Sequence, residues 1–508
     1  MKISENKFWF IFFIALFLFY YVTYYIPFNF SQLCGDGVCQ IAYWRSLFDV
    51  NLRGSTGASA TKPGWAIILG ICHEFYNLLG QSNLPFKLVL VFFITSLVWI
   101  VTRISSEIGG RGAGFIALLY ALAIPTFFDW YKLGSSMLFC LPFIMFGLWL
   151  YSNKKEKLGI LLLIISIFFR IESSFIVLLI CFIEFLKRNY KKSLLIALSL
   201  GIAVSLWLGF VYTVQGDLKR MDSGVGVGYI EHKEINFLNI YNSIRCYIEN
   251  WQLYLSSLNH DVILAIFFVI GIVFIKEIRI YASIIGLFIG HLLFVIFFGG
   301  PCSYMEMLDS FSIAIGFGSF FYFLKKFKNR VIPKELRFYF IILIYMLIIG
   351  FAINKGLIER LDQLYISKKI APEEYAFMVN ARDIIDRNLI PKASRVLTED
   401  DIIYSLVANL PPHYFKKMYA LPFFNMCDNK EQERILKNID FIYISKLGHV
   451  TFFLIDDQEM VKWKKDAFRE NITRLFKTGG SFKMYGVTFR LLEESGYGYL
   501  IKVKNKEN

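Results

Sequence analysis

The chain has 508 residues, 56% of them hydrophobic and 18% aromatic, with a formal charge of +14 and a mean hydropathy of +0.51. That is too apolar for a single water-soluble core with a charged surface, and the apolar residues gather in runs long enough to cross about 30 Å of hydrocarbon. The positive excess does not indicate a nucleic-acid partner. It sits in short clusters between those runs, such as Lys154, Lys155 and Lys157, or Lys187, Arg188, Lys191 and Lys192, as in loops on the cytoplasmic side of a membrane.

The first apolar run, 8–26, is longer than a signal-peptide core, and no small-residue cleavage site precedes Pro27, so it reads as a retained span. The basic clusters, with Lys276, Arg279 and the run Lys325, Lys326, Lys328 and Arg330, belong on the cytoplasmic side. An even number of crossings must then separate any two of them. Segment 65–79 is short and carries His73, Glu74 and Asn77; a charge at mid-bilayer costs about 3 kcal/mol, so this segment is expected along the membrane surface. The spans then fall at 8–26, 86–102, 113–128, 136–151, 158–169, 173–186, 193–213, 261–275, 280–298, 310–324 and 338–353. That makes about eleven, with the N-terminus inside and the C-terminus outside. Two of them are short, because twelve helical residues rise only about 18 Å. Segments 158–169 and 173–186 are therefore expected to form a hairpin that stops partway, with Arg170 and Glu172 at its tip.

Residues 1–353 thus read as an α-helical polytopic membrane body whose first outer loop, 27–85, holds juxtamembrane helices. Residues 354–508 have the hydropathy of a soluble domain and read as α/β layers outside the cytoplasm. A helix start is signalled at Pro372, Glu373 and Glu374. Strands are expected at 395–397 and 441–445, with helix after Asp400 and Asp401 and across 431–437. A closing hairpin pairs 485–492 with 497–503 around Glu494-Ser495-Gly496. No Gly-x-Gly-x-x-Gly or P-loop is present in this domain.

Four places along the chain carry chemistry. Asp36, Gln40 and Tyr43 are spaced i, i+4 and i+7, one face of a helix in the first outer loop; Asp36 is either a reactive carboxylate there or that helix's cap. Lys62, in Thr61-Lys62-Pro63-Gly64-Trp65, precedes the surface helix, where a cation meets either a lipid phosphate or merely the interface. Arg170-Ile171-Glu172 interrupts an apolar stretch in which each charge is costly unless it faces a cavity or a partner. Asp129 lies at the outer end of a span, as a substrate contact or a solvated acid. The eight cysteines show no metal-ligand spacing, and no acid cluster supports a divalent metal, so no cofactor is indicated. Cys34 and Cys39 flank Asp36 in the outer compartment, either as a disulfide or as two thiols.

In order and approximate spacing these motifs resemble the GT-C superfamily of membrane glycosyltransferases, which includes the protein O-mannosyltransferases and the aminoarabinose transferases of lipid A. Asp36-Gly37 followed by Tyr43 resembles the acidic first-loop motif, Lys62-Pro63-Gly64 the Lys-Pro-Pro element, and Arg170-Ile171-Glu172 the Arg-Pro-Glu element. The chain departs from the pattern at Gly64 and Ile171, and no second acid adjoins Asp36. Where many members have an arginine before a late span, residues 301–309 offer only acids. The resemblance implies an inverting enzyme that moves a sugar from a polyprenyl-phosphate donor to a glycan, lipid or protein acceptor at the outer face of a cell membrane. It implies that Asp36 accepts the acceptor's proton, that Lys62 and Arg170 bind the donor phosphate, and that Tyr43, Asp129 and Glu172 contact substrate.

Two other readings compete. An O-antigen polymerase or ligase would use a diphosphate-linked glycan and arginines in a large outer loop, and 215–260 holds Arg220 and Arg245. A lipid-glycan transporter or flippase would need a polar path through the bilayer, of which His291 is the main trace.

Overall fold

Among the described residues the chain is helical where the sequence runs apolar, and its turns fall at the charges and glycines between runs. The computed structural model describes residues 5–23, 35–48, 62–80, 82, 84–123, 127, 135–215, 271, 310–331, 346, 350, 384, 387–398, 414–420, 424, 429–445, 472, 474–475, 478–494 and 498–504. The helices are α1 Glu5–Thr23, α2 Gly35–Ser46, α3 Pro63–Leu78, α4 Leu84–Gly109 and α5 Arg111–Ala123. They continue with α6 Ser136–Ser152, α7 Glu156–Phe169, α8 Ser174–Leu186, α9 Tyr190–Gln215 and α10 Phe317–Val331. A π turn, Ser312–Gly316, leads into α10. Among the described residues three helices, α1, α4 and α9, are long and apolar enough to cross a membrane. The expected spans 261–275, 280–298 and 338–353 lie, but for isolated residues, outside the described residues.

Segment 65–79, expected along the membrane surface, is α3. Ile67, Ile71, Phe75 and Leu78 are exposed along one face, with Glu74 and Asn77 beside them, while Trp65, Leu69 and His73 are buried. An exposed apolar stripe opposite a buried one suits a helix touching lipid on one side. Helix α6 is buried almost all round and carries no polar face. Its Gly147 lies over Gly159 of α7, and a Cβ on Gly159 would come within 2.7 Å of the Gly147 carbonyl oxygen. Small residues at that crossing let the two backbones close up. Helix α7, a 3-10 turn at Ile171–Ser173 and α8 make the expected hairpin, with Arg170 at its tip.

Polar residues sort to the two ends of this bundle. At one end Arg103 of α4 pairs with Glu5 of α1 and with Glu107, and the Trp149 indole N–H of α6 donates to Glu107 at 2.9 Å. Beside them Glu184 of α8, fully buried, accepts from the Tyr151 hydroxyl of α6 at 2.7 Å and from Asn189 at 2.8 Å. Lys192 of α9 pairs with both Glu184 and Glu156. The basic clusters at 154–157 and 187–192 therefore meet at a single end. Helix α6, with 17 residues, carries the chain about 25 Å to the opposite one.

The C-terminal region is a six-stranded sheet of order β2-β1-β3-β6-β5-β4. Its strands are β1 Arg395–Thr398, β2 Lys417–Ala420, β3 Phe441–Ser445, β4 Ser481–Met484, β5 Val487–Glu494 and β6 Gly498–Lys504. β1 runs parallel to β2 and β3, and β6, β5 and β4 follow antiparallel. On one face Leu397, Ile442, Ile444 and Ile501 cluster with Ile435 and Leu436 of α11 (Asn429–Asn438). On the other, Val396, Met418, Tyr443 and Leu500 join the same cluster as the bundle. The expected strands at 395–397 and 441–445 and the helix at 431–437 are present. The helix starts at 372–374 and after Asp400 lie outside the described residues. The final hairpin begins two residues later than expected. Tyr485 and Gly486, at φ 51 and 75, turn the chain from β4 into β5, with Met484 opposite Val487. Two consecutive positive φ values give the turn whose twist suits a tight hairpin.

Candidate active site

The end of the bundle opposite the basic clusters is built from the starts of α3 and α6, the tip of the α7–α8 hairpin, and α2. Pro63 opens α3, where its missing N–H costs nothing, and Lys62 is the N-cap in an extended conformation, φ −122 and ψ 97. The Lys62 backbone N–H donates to the Gln40 side-chain oxygen at 3.2 Å. Gln40 is fully buried, so this bond fastens α2 to the first turn of α3. The Lys62 ammonium sits 5.0 Å from the centroid of Trp65. Farther along, Trp44 lies over Gly70, where any Cβ would fall within 2.1 Å of the indole. Toward the far end of this pair, burial lowers the pKa of Arg45 against the opposing pull of Glu74.

Gly64 explains how α3 meets the hairpin. A Cβ there would stand 3.1 Å from the Phe168 Cβ and from two ring carbons of Phe169. Glycine at this position, rather than the proline of Lys-Pro-Pro, admits that approach. Phe169 also stacks on Phe143 at 5.3 Å and on Phe139 at 6.2 Å, both of α6. The residue before Arg170 is thus held by α3 and α6 together.

Arg170 ends α7 in an extended conformation, φ −152 and ψ 115, with its N–H bonded to the Ser166 carbonyl at 3.0 Å. Its carbonyl accepts from the Ser173 N–H at 3.0 Å and closes the tip. Its guanidinium is buried, 3% exposed, and donates from Nη1 to Ser136 Oγ at 3.3 Å. Ser136 opens α6, whose N-cap Ser135 accepts from the Met137 N–H. The Cys140 thiol and the Ser173 hydroxyl are 3.4 Å apart beside it. A buried guanidinium at the start of one helix and beside the start of another stands where backbone N–H groups favour an anion.

The segments of Lys62 and Arg170 therefore meet through Gly64 and Phe169, and α2 is joined to them through Gln40. Asp36 lies in the first turn of α2, and Glu172 in the 3-10 turn of the tip. Tyr43 is buried in the bundle core. Asp129 and Cys34 lie outside the described residues. Gln40, Ser136 and Phe169 were not among the sequence-derived site residues. The i+4 spacing from Asp36 already pointed to Gln40, and Ser135-Ser136 before an apolar run is a helix-start signal. Nothing local marks Phe169. Cys72, buried in α3, has its thiol pushed up to about 12 by that burial, which removes it as a nucleophile near neutral pH. Among the described residues no three His, Cys, Asp or Glu side chains group as a metal site.

No known sequence family matches the chain, and no curated protein does. Solved structures are similar to it in fold. The oligosaccharyltransferase of Archaeoglobus fulgidus, solved with Zn and sulfate, superposes over 96% of this chain and 72% of its own at 11% identity and a TM-score of 0.50. ArnT of Cupriavidus metallidurans in the apo state matches over 98% of both chains at 9% identity and a TM-score of 0.49. Its undecaprenyl-phosphate complex matches over 99% of both at 9% identity and a TM-score of 0.46. The likeness to the oligosaccharyltransferase is one of fold, over almost the whole of this chain.

Proposed function

We propose that this chain is an inverting glycosyltransferase that takes a sugar from a polyprenyl-phosphate donor and places it on a hydroxyl-bearing acceptor at the outer face of a cell membrane. The observation that carries this reading is the buried guanidinium of Arg170 at the tip of a hairpin whose preceding residues, Phe168 and Phe169, pack on the start of α3, next to Lys62. A cation held in a low-dielectric site and aimed by its backbone is what a departing phosphate needs.

In the reaction the acceptor oxygen attacks the anomeric carbon from the side opposite the phosphate. The carbon–oxygen bond to the phosphate breaks, and its electron pair leaves on the polyprenyl phosphate. Asp36 takes the proton of the attacking hydroxyl. Arg170 presents two N–H groups to the phosphate oxygens and Lys62 a point charge, so the negative charge that builds there is neutralised. Glu172 orients Arg170 or binds sugar hydroxyls, and Tyr43 and Asp129 contact substrate. The chemistry as written uses no metal. The basic clusters face the cytoplasm, and residues 354–508 stand outside with the site.

The test is transfer by the full-length protein in vesicles that contain a polyprenyl-phosphate-linked sugar. Release of polyprenyl phosphate with a product of inverted configuration is expected. Retention of configuration, or activity with a polyprenyl-diphosphate glycan alone, would replace this reading with the polymerase or ligase one. A reporter active only in the cytoplasm, fused after Lys355, should be silent.

A further inference from the structure

The end of the bundle away from the candidate site holds more charge than its own structure uses. Two short connectors lie there, 153–155 between α6 and α7 and 187–189 between α8 and α9. Both close by the same bond, Lys155 N–H to the Leu150 carbonyl and Asn189 N–H to the Glu184 carbonyl, each 2.9 Å. That closure needs one residue in the left-handed region, and glycine is its usual occupant. Here Lys154 at φ 63 and Arg188 at φ 61 take it. Both connectors thus place a cation where a Cβ is disfavoured.

The connectors lie side by side, because Lys192 reaches from the second to Glu156 at the first. The two carboxylates of this region are already satisfied, Glu156 by Lys192 and buried Glu184 by Tyr151, Asn189, Lys187 and Lys192. Lys154, Lys155, Lys157, Arg188 and Lys191 are exposed and make no ion pair among the described residues. Immediately along the helices the surface turns apolar, with Leu158 48%, Leu161 51%, Leu194 61% and Leu195 65% exposed. A rim of five cations above a wall of exposed leucines has the profile of a negative headgroup above acyl chains.

We propose that the two connectors together bind one anionic phospholipid, its phosphate between the cations and its chains against the leucines of α7 and α9. Helix C-termini attract cations in any case, and basic loops set orientation in the membrane. Neither effect discriminates between lipid headgroups, and a binding site does.

The experiment uses the full-length protein in a neutral detergent mixed with equal amounts of phosphatidylglycerol and phosphatidylcholine, with retained lipids counted by native mass spectrometry. The wild type should retain phosphatidylglycerol in preference. In the pair Lys154→Gly and Arg188→Gly, glycine suits both turns, so the protein should melt no lower than wild type. Its preference should fall about fivefold for each charge removed. A second pair, Lys155→Gln with Lys191→Gln, leaves both left-handed positions untouched and decides the matter alone should the first not fold. Loss of preference in either folded pair supports the site. Equal retention of the two lipids by the wild type, or an unchanged preference in every folded pair, overturns it.

Discussion

The two ends of the bundle handle buried charge in opposite ways. At the basic end the buried carboxylate of Glu184 is surrounded by a hydroxyl from α6, an ammonium from α9, and an amide and a second ammonium from the connector between α8 and α9. At the other end the buried guanidinium of Arg170 meets a serine hydroxyl at 3.3 Å, and the residue before it, Phe169, stacks on Phe139 and Phe143. The first arrangement makes sense as structure alone, since a buried charge with every lone pair satisfied is a latch. The second holds a cation just before the start of α8 and beside the start of α6, where backbone N–H groups favour an anion. Ends that differ in this way should respond differently to mutation: removal of the buried Glu184 should lower stability and spare turnover, and substitutions at the site end should do the reverse.

The largest expected effect belongs to Asp36→Asn, which keeps size but removes the proton acceptor. Transfer should fall roughly a hundredfold or more, as the loss of a general base does, with the melting temperature unchanged. Turnover within tenfold of wild type, measured on purified protein in vesicles, would remove Asp36 from the chemistry. Arg170→Lys comes next. It keeps the charge but loses the planar pair of donors, and charge-assisted hydrogen bonds contribute about 1.5–3 kcal/mol. Use of the donor should weaken roughly tenfold to a hundredfold, read as a rise in the donor KM. A large drop in melting temperature with an unchanged KM would make Arg170 a structural ion like Glu184 and erase the contrast between the ends.

Glu184→Ala probes the opposite side of the comparison. It strands the Tyr151 hydroxyl, the Asn189 amide and Lys192, and leaving buried groups unsatisfied costs about 1–3 kcal/mol. Unfolding should shift by that amount, while turnover per folded molecule stays at the wild-type value. The smallest effect is expected from chelation: with EDTA present, transfer should continue at the same rate. Restoration of a lost rate by a divalent cation would show that the site also uses a metal.

Much of this was legible along the chain, because membrane helices answer to a local rule. A run of apolar residues has to satisfy its own backbone, so it becomes a helix wherever it is long enough. The charges that end it mark the turn. Helices α1, α3, α4 and α9 and the Arg170 hairpin all followed from that. The sheet was less legible. β2 and β4 are four residues each, too short for alternation to show, and Tyr485 has the propensity of a strand residue although it turns the chain at φ 51.

The sequence by itself determined that Asp36, Lys62 and Arg170 are chemically costly or suggestive where they stand, since a residue's charge and its apolar neighbours can be read in one dimension. It could not say that the segments carrying Lys62 and Arg170 pack against each other, because 107 positions lie between them and nothing in either segment refers to the other. The tertiary structure decided that. Gly64 lacks a Cβ, so Phe168 and Phe169 can come within contact of the α3 backbone, and Gln40 trades its amide oxygen for the Lys62 N–H. Both are consequences of close packing between distant segments, where the absence of one methyl group or the presence of one acceptor sets the approach.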